Sequence, residues 1–184
     1  VVRRFRLDGA PDGEVALPGV GTARGFQGRR GDGETFFSYQ SFTSPPSIWR
    51  YDVATGATKR IRQASVDVRL EDWETRQEWV VSKDGTKLPM FVTHRKGLAA
   101  DRPHPTYLYG YGGFNVSLSP RFSPFVAVWL EMGGVFAQPT LRGGGEYGEA
   151  WHEAGMRERK QNVFDDFIAS AEHLIDAGVT APDQ

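Results

Sequence analysis

No cysteine occurs among the 184 residues, which excludes disulfides, thiolate metal ligands and a cysteine nucleophile within this stretch. No apolar run approaches the roughly 18 residues that a bilayer-spanning helix needs, so no membrane partner is expected. Neither sign of charge dominates: 22 Lys and Arg oppose 23 Asp and Glu, a formal net charge of -1. General electrostatic attraction to nucleic acid or anionic lipid is therefore not expected, and the cluster Arg157-Glu158-Arg159-Lys160 reads as a solvated face. Hydrophobic residues make up 39% of the chain and charged residues 24%, the composition of a soluble globular protein with a packed core. The chain begins at Val1 and not at methionine, so an upstream leader is compatible with it. A cytoplasmic protein is the default expectation, with a periplasmic or secreted one left open.

From Val1 to about Leu70 the sequence is rich in glycine and in short runs of strand-like alternation, with no helical period. Thr35 to Gln40 and Ser47 to Asp52 read as strands. Val53-Ala54-Thr55-Gly56 reads as a turn in which Gly56 takes positive φ, and Thr58 to Ile61 as the returning strand. Such spacing suits the antiparallel sheets of propeller blades or sandwiches. The aromatics Phe36, Phe37, Tyr39, Trp49 and Tyr51 are expected to pack in the strand core, in preference to a sugar-binding face.

The pattern changes near Glu71 to Glu78, which places a domain boundary between residues 1–70 and 71–184. Glu78 to Ser82 and Lys87 to His94 flank Lys83-Asp84-Gly85-Thr86, whose Asp-Gly pair signals a hairpin. Thr106 to Tyr109 reads as a buried strand that opens into Gly110-Tyr111-Gly112-Gly113-Phe114. Beyond it, Pro124 to Met132 reads as a helix ended by Gly133-Gly134, and Val135 to Thr140 as a strand. In a helix from Asn162 to Ala177, the residues Val163, Phe164, Phe167, Ile168, Ala171, Leu174 and Ile175 share one face, with Gly178 at the C′ position. Alternating strands and helices predict an α/β domain with a largely parallel sheet.

Gly110-Tyr111-Gly112-Gly113-Phe114 follows a strand where an α/β-hydrolase places one wall of its oxyanion hole, and glycine lets backbone approach a reacting carbonyl. A tyrosine hydroxyl can serve as a donor there. The same pattern is compatible with a tight glycine turn between two core aromatics. Gly143-Gly144-Gly145-Glu146-Tyr147-Gly148 formally matches a dinucleotide-binding pattern, but Glu146 would bring a carboxylate towards the pyrophosphate. His152-Glu153 does not continue into a zinc-protease motif, because position 156 is methionine. Asp165 and Asp166 read as carboxylates favoured by the dipole of the helix's first turn, in preference to a general acid and base. His94, His104 and His173 read as surface or structural histidines.

Tyr107-Leu108-Tyr109-Gly110-Tyr111-Gly112-Gly113-Phe114-Asn115, Leu141-Arg142-Gly143-Gly144-Gly145-Glu146-Tyr147-Gly148, Trp151-His152 and Lys160-Gln161-Asn162-Val163-Phe164-Asp165-Asp166-Phe167 together closely resemble the prolyl oligopeptidase family, in its order and approximate spacing. Ser82-Lys83-Asp84-Gly85-Thr86-Lys87-Leu88-Pro89-Met90 resembles the family's entry into its hydrolase domain. The resemblance implies the end of a β-propeller domain followed by the N-terminal part of an α/β-hydrolase domain. It implies a serine peptidase cleaving short proline-containing peptides after proline, without metal or organic cofactor. Tyr111 would be the side-chain donor of the oxyanion hole, and Phe114 would line the proline pocket.

No serine stands in a Gly-x-Ser-x-Gly setting, so the nucleophile, acid and base are expected beyond Gln184, in the remainder of the same polypeptide. A non-catalytic binding module on a hydrolase-like scaffold is the alternative, and a dinucleotide-binding protein a lesser one. Because acyl transfer needs an activated nucleophile, a polypeptide of these residues alone is expected to remain unlabelled by a fluorophosphonate probe. Stoichiometric labelling of one serine would overturn that expectation.

Overall fold

The computed structural model describes residues 1–98 and 102–184. They form two compact units, one of Val1–Asp67 with Ser119–Ser123, the other of Val68–Leu118 with Pro124–Gln184.

In the first unit, β1 (Arg3–Phe5) pairs with β2 (Pro11–Glu14). A four-stranded antiparallel meander follows, formed by β3 (Thr22–Gln27), β4 (Glu34–Gln40), β5 (Ser47–Asp52) and β6 (Thr58–Gln63) in sequential order. Period-two alternation sets its faces: Phe37 and Tyr39 are buried while Phe36 between them is exposed. Phe37 stacks between Phe26, at a centroid distance of 4.6 Å, and Trp49, at 6.2 Å. Four of the five aromatics named above thus serve packing, and Phe36 points away from it. At the turn after β5, Gly56 has φ +73°, and Asp52 Oδ1 accepts from the Thr55 N–H (2.9 Å) and hydroxyl (2.8 Å). The segment 119–123 joins this unit through the Thr22 hydroxyl on the Pro120 carbonyl (2.7 Å) and the Phe122 N–H on Gln40 Oε1 (3.3 Å).

The second unit holds β7 (Trp73–Val81), β8 (Lys87–Arg95), β9 (Thr106–Leu108), α1 (Pro124–Glu131), β10 (Val135–Pro139), α2 (Glu149–Glu153) and α3 (Gln161–Asp176). Its sheet runs β7-β8-β10-β9. Among the described residues only β9 and β10 pair in parallel; β7 with β8 and β8 with β10 are antiparallel. The expectation of a largely parallel sheet is corrected on physical grounds. The tight turn at Asp84-Gly85 forces its strands antiparallel, and a parallel neighbour needs a long crossover, here the connection that carries α1.

The central strands β8 and β10 are buried along nearly their whole length, with Leu88, Met90, Val92, Val135 and Ala137 in the core. Strand β9 is only half-buried, because it lies at the sheet edge; the sequence pattern had suggested a fully buried strand.

Both longer helices end on a glycine at positive φ, Gly133 (+90°) and Gly178 (+70°). Gly134 N–H returns to Trp129 O (3.1 Å) and Val179 N–H to Leu174 O (2.9 Å), the six-to-one bond that satisfies an otherwise orphaned carbonyl. The buried face of α3 is Val163, Asp166, Ser170 and Leu174. Phe164 (54%), Ile168 (52%) and Ile175 (36%) are exposed on a neighbouring stripe, so the apolar face assigned from sequence is corrected in part. No helix among the described residues is long and apolar enough to cross a membrane.

Candidate active site

The chain leaves β9 still bonded to β10, through the Tyr109 N–H on Ala137 O (2.9 Å), and enters the glycine-aromatic loop. Glycine is needed here for close approach. A Cβ on Gly110 would stand 2.6 Å from Leu141 Cδ1, and one on Gly112 would overlap Val163 Cγ1 and lie 3.0 Å from Leu141 Cβ. Phe114 and Asn115 then both take left-handed φ, +53° and +56°. Such conformations cost a non-glycine residue roughly 1–3 kcal/mol and persist only where the surroundings hold them.

The restraints are specific. Asn115 N–H donates to Gly143 O (3.2 Å), Val116 N–H to Gly113 O (3.0 Å), and Lys160 Nζ to Gly112 O (2.6 Å). Held in this way, the loop presents two aromatics outward: Tyr111 is 47% exposed and Phe114 85%. Their ring centroids lie 6.4 Å apart. A cavity of about 430 Å³ opens beside Phe114, bounded by Gly113, Gly143, Gly155, Met156 and Arg157, with His152 and Lys160 at its wall.

Beneath the loop lies a buried ion-pair network centred on Arg142, which is 4% exposed. Its Nη2 donates to Asp166 Oδ1 at 2.6 Å and its Nε to Asp166 Oδ2 at 2.9 Å. The backbone N–H of Arg142 also reaches Asp166 Oδ2 (3.1 Å), and Ser82 Oγ donates to Oδ1 (2.6 Å). Arg142 Nη1 takes Asp84 Oδ2 (2.5 Å) and the Thr86 hydroxyl (3.2 Å). Its bonds to Asp166 hold the guanidinium pKa above its ordinary value, against the cost of burial. The same guanidinium holds the Asp84 carboxyl well below the usual carboxylate range, helped by the Thr86 N–H.

This corrects the reading of Asp165 and Asp166 as first-turn carboxylates. Neither lies in the first turn of α3; Asp165 accepts from Gln161 (3.1 Å), and Asp166, fully buried, holds Arg142. Lys160 likewise departs from the solvated cluster to which it was assigned, while Arg157, Glu158 and Arg159 remain exposed.

The glycine run is consumed by packing. A Cβ on Gly143 would lie 2.8 Å from Gly112 O, and one on Gly145 would lie 2.6 Å from Asn115 O. Glu146 Oε1 accepts from Leu118 N–H (2.8 Å). The run therefore clamps the neighbouring loop, and the five-residue α2 after it is too short to offer a phosphate-binding dipole. His152 Nδ1 contacts Gly143 O (2.8 Å), His173 Nε2 contacts Glu78 Oε2 (2.9 Å), and His94 Nδ1 contacts Arg95 O (2.8 Å). His94 and His104 are buried.

Comparison with known proteins bears on what this arrangement is. Residues 1–64 match the model of the prolyl oligopeptidase N-terminal β-propeller domain, and residues 120–184 that of the prolyl oligopeptidase family. A prolyl endopeptidase of Elizabethkingia miricola is 42% identical over 182 residues, covering 99% of this chain and 26% of the relative. The chain belongs to the prolyl oligopeptidase family. A solved structure from a mechanistic study of two prolyl endopeptidases superposes with a TM-score of 0.91 at 46% identity, covering 98% of this chain and 27% of that one. Prolyl oligopeptidase B of Galerina marginata, solved with a 35-residue hydrolysis and macrocyclization substrate, gives 0.88 at 39%, covering 97% and 26%. The chain thus spans about a quarter of the length of the prolyl oligopeptidase relatives it matches. Its architecture is the family's: the β-rich end of a propeller domain, then the start of the α/β-hydrolase domain.

In this prolyl oligopeptidase chain the residues missed from sequence are Arg142 and Lys160 as anchors of the loop. One signal was present. Position 166 shares a helical face with Val163, Ser170 and Leu174, and a carboxylate on a buried face requires a cation. Removing one partner of a buried pair strands the other, at about 3–5 kcal/mol. Asp166→Ala should therefore lower the unfolding free energy by that amount, read as a fall in the urea midpoint at unchanged slope. The double change Arg142→Met with Asp166→Leu should recover most of the loss; equal destabilisation by single and double variants would show that the pair is not what matters.

Proposed function

We propose that these residues form part of a serine peptidase that cleaves short peptides after proline through an acyl-enzyme. In this proposal residues 1–70 close the propeller and residues 71–184 open the hydrolase domain. The serine, acid and base belong to further residues of the same polypeptide, and the cytoplasm is the proposed compartment. The observation that carries the proposal is the outward presentation of Tyr111 and Phe114 on a backbone restrained from both sides, at the end of a sheet strand.

When a serine Oγ attacks the carbonyl carbon of the proline at the cleaved bond, its proton passes to the base and the carbonyl π pair moves onto oxygen. A donor already aimed at that oxygen stabilises the intermediate more than the substrate, which lowers the barrier without tightening ground-state binding. Tyr111, whose side chain is half-exposed, is assigned as that donor. Phe114 is assigned as the apolar wall for the pyrrolidine ring. Its 85% exposure leaves the ring face open for such a contact.

In the full-length peptidase, Tyr111→Phe should lower kcat on a proline amide by roughly 10²–10³, with KM nearly unchanged, and should matter less on the more reactive ester. A kcat within about threefold of wild type on the amide, with thermal melting unchanged, would remove Tyr111 from the chemistry. Phe114→Ala should weaken preference for proline over alanine at the cleaved position by about 1–3 kcal/mol, read as the ratio of kcat/KM values. An unchanged ratio would take Phe114 out of the pocket.

A further inference from the structure

We infer that Lys160 is a positioning residue for the loop that carries Tyr111, an assignment that rests on the oxyanion role proposed for Tyr111. Among the restraints on the loop are hydrogen bonds to neighbouring segments on either side of Gly113 and Phe114. On the far side, the Asn115 N–H is held by Gly143 O (3.2 Å). On the Tyr111 side, the Lys160 ammonium holds Gly112 O at 2.6 Å. That carbonyl belongs to the Gly112–Gly113 peptide, one residue beyond Tyr111, so its movement reaches Tyr111 through the Gly112 backbone.

Lys160 is suited to this task by where it stands. It is the residue that opens α3, half-buried and helical (φ -60°, ψ -27°), while Arg157, Glu158 and Arg159 before it are exposed. The helix it opens is locked six residues later by Asp166, whose carboxylate takes the guanidinium and the backbone N–H of Arg142. A flexible side chain thus works from a fixed base. Its ammonium also lies 5.9 Å from the Phe164 ring centroid, a cation–π contact that restricts its direction. At Gly113 an added Cβ would be 3.7 Å from Nζ, so the loop passes close beneath the charge.

Positioning differs from general support in what it predicts. Losing the Gly112 bond loosens the Tyr111 side of the loop, leaving it to the packing of Gly110 and Gly112 and to the Tyr109 N–H on Ala137 O, so the transition-state contact should suffer more than substrate binding. A displacement of about 1 Å can cost up to roughly a hundredfold in rate.

The test is a double-mutant cycle in the full-length peptidase, with wild type, Lys160→Met, Tyr111→Phe and the double variant assayed on a matched proline amide and ester. Lys160→Met is expected to lower kcat on the amide by about 10- to 100-fold, with KM within about threefold, a smaller loss on the ester and almost no further loss when Tyr111 is already phenylalanine. With no hydroxyl left to aim, its anchor has nothing to contribute. Unchanged kcat in Lys160→Met beside an impaired Tyr111→Phe would overturn the Lys160 assignment alone. So would losses that multiply in the double variant, since Lys160 would then act elsewhere. A silent Tyr111→Phe would overturn the oxyanion role and the positioning role with it. If melting shows Lys160→Met to be unfolded, Lys160→Ala, which also removes the donor, takes its place in the cycle under the same criteria.

Discussion

Asp166 is fully buried on the inner face of α3, where a carboxylate stays charged only if a cation and further donors are held against it. Arg142 supplies the charge, and the Ser82 hydroxyl and the Arg142 backbone N–H supply two more donors. The guanidinium also spans to Asp84 and Thr86 in the β7–β8 turn. One planar group therefore ties together a hairpin turn, the segment leaving β10 and a helix, pieces distant in sequence. A buried pair of this kind adds little net stability over well-packed apolar residues. Its contribution is geometric, since five donors in a fixed fork match few arrangements of their acceptors.

The glycine-aromatic loop inherits that geometry. Gly110 and Gly112 rest on Leu141 and on Phe167 and Val163 of α3, with no room for a side chain. Gly143 in turn approaches the Gly112 carbonyl and Gly145 approaches Asn115. The loop is thus packed backbone against backbone onto the segment that Arg142 fixes, and the left-handed turns at Phe114 and Asn115 are sustained by neighbours that cannot relax independently.

What could be read from sequence alone was what depends on near neighbours. The Asp84-Gly85 hairpin, the helix stops at Gly133 and Gly178, and the inward set of Phe37, Tyr39 and Tyr51 each follow from local backbone preference or strand alternation. The misassignments share a different cause. Periodicity grouped the apolar residues of α3 into one face, whereas the structure buries Val163 and Leu174 with Asp166 and Ser170 and leaves Phe164, Ile168 and Ile175 exposed on an adjacent stripe. Only the presence of Arg142, 24 residues away in sequence, makes a carboxylate acceptable on the buried stripe. Strand direction in the second sheet was hidden for the same reason, because pairing partners are set by connections and not by composition. Tyr111 and Phe114 were found as a motif, but their roles came from family resemblance; local spacing is equally satisfied by a plain glycine turn.

Within these residues the loop packs its glycines and leaves its aromatics uncovered. A glycine turn that served only to reverse the chain would bury its aromatics, since covering an apolar ring stabilises the fold. Here the packing is reversed: the glycines are pressed into the structure, and the aromatics are left outside, one of them on strained backbone. Both features oppose stability, and neither relieves a clash or satisfies a buried polar group. The left-handed backbone at Phe114 is held by neighbours as specific as Lys160 and Gly143. The rigid side of the loop fixes where the two rings stand, so their placement comes from backbone packing and not from the aromatic side chains themselves.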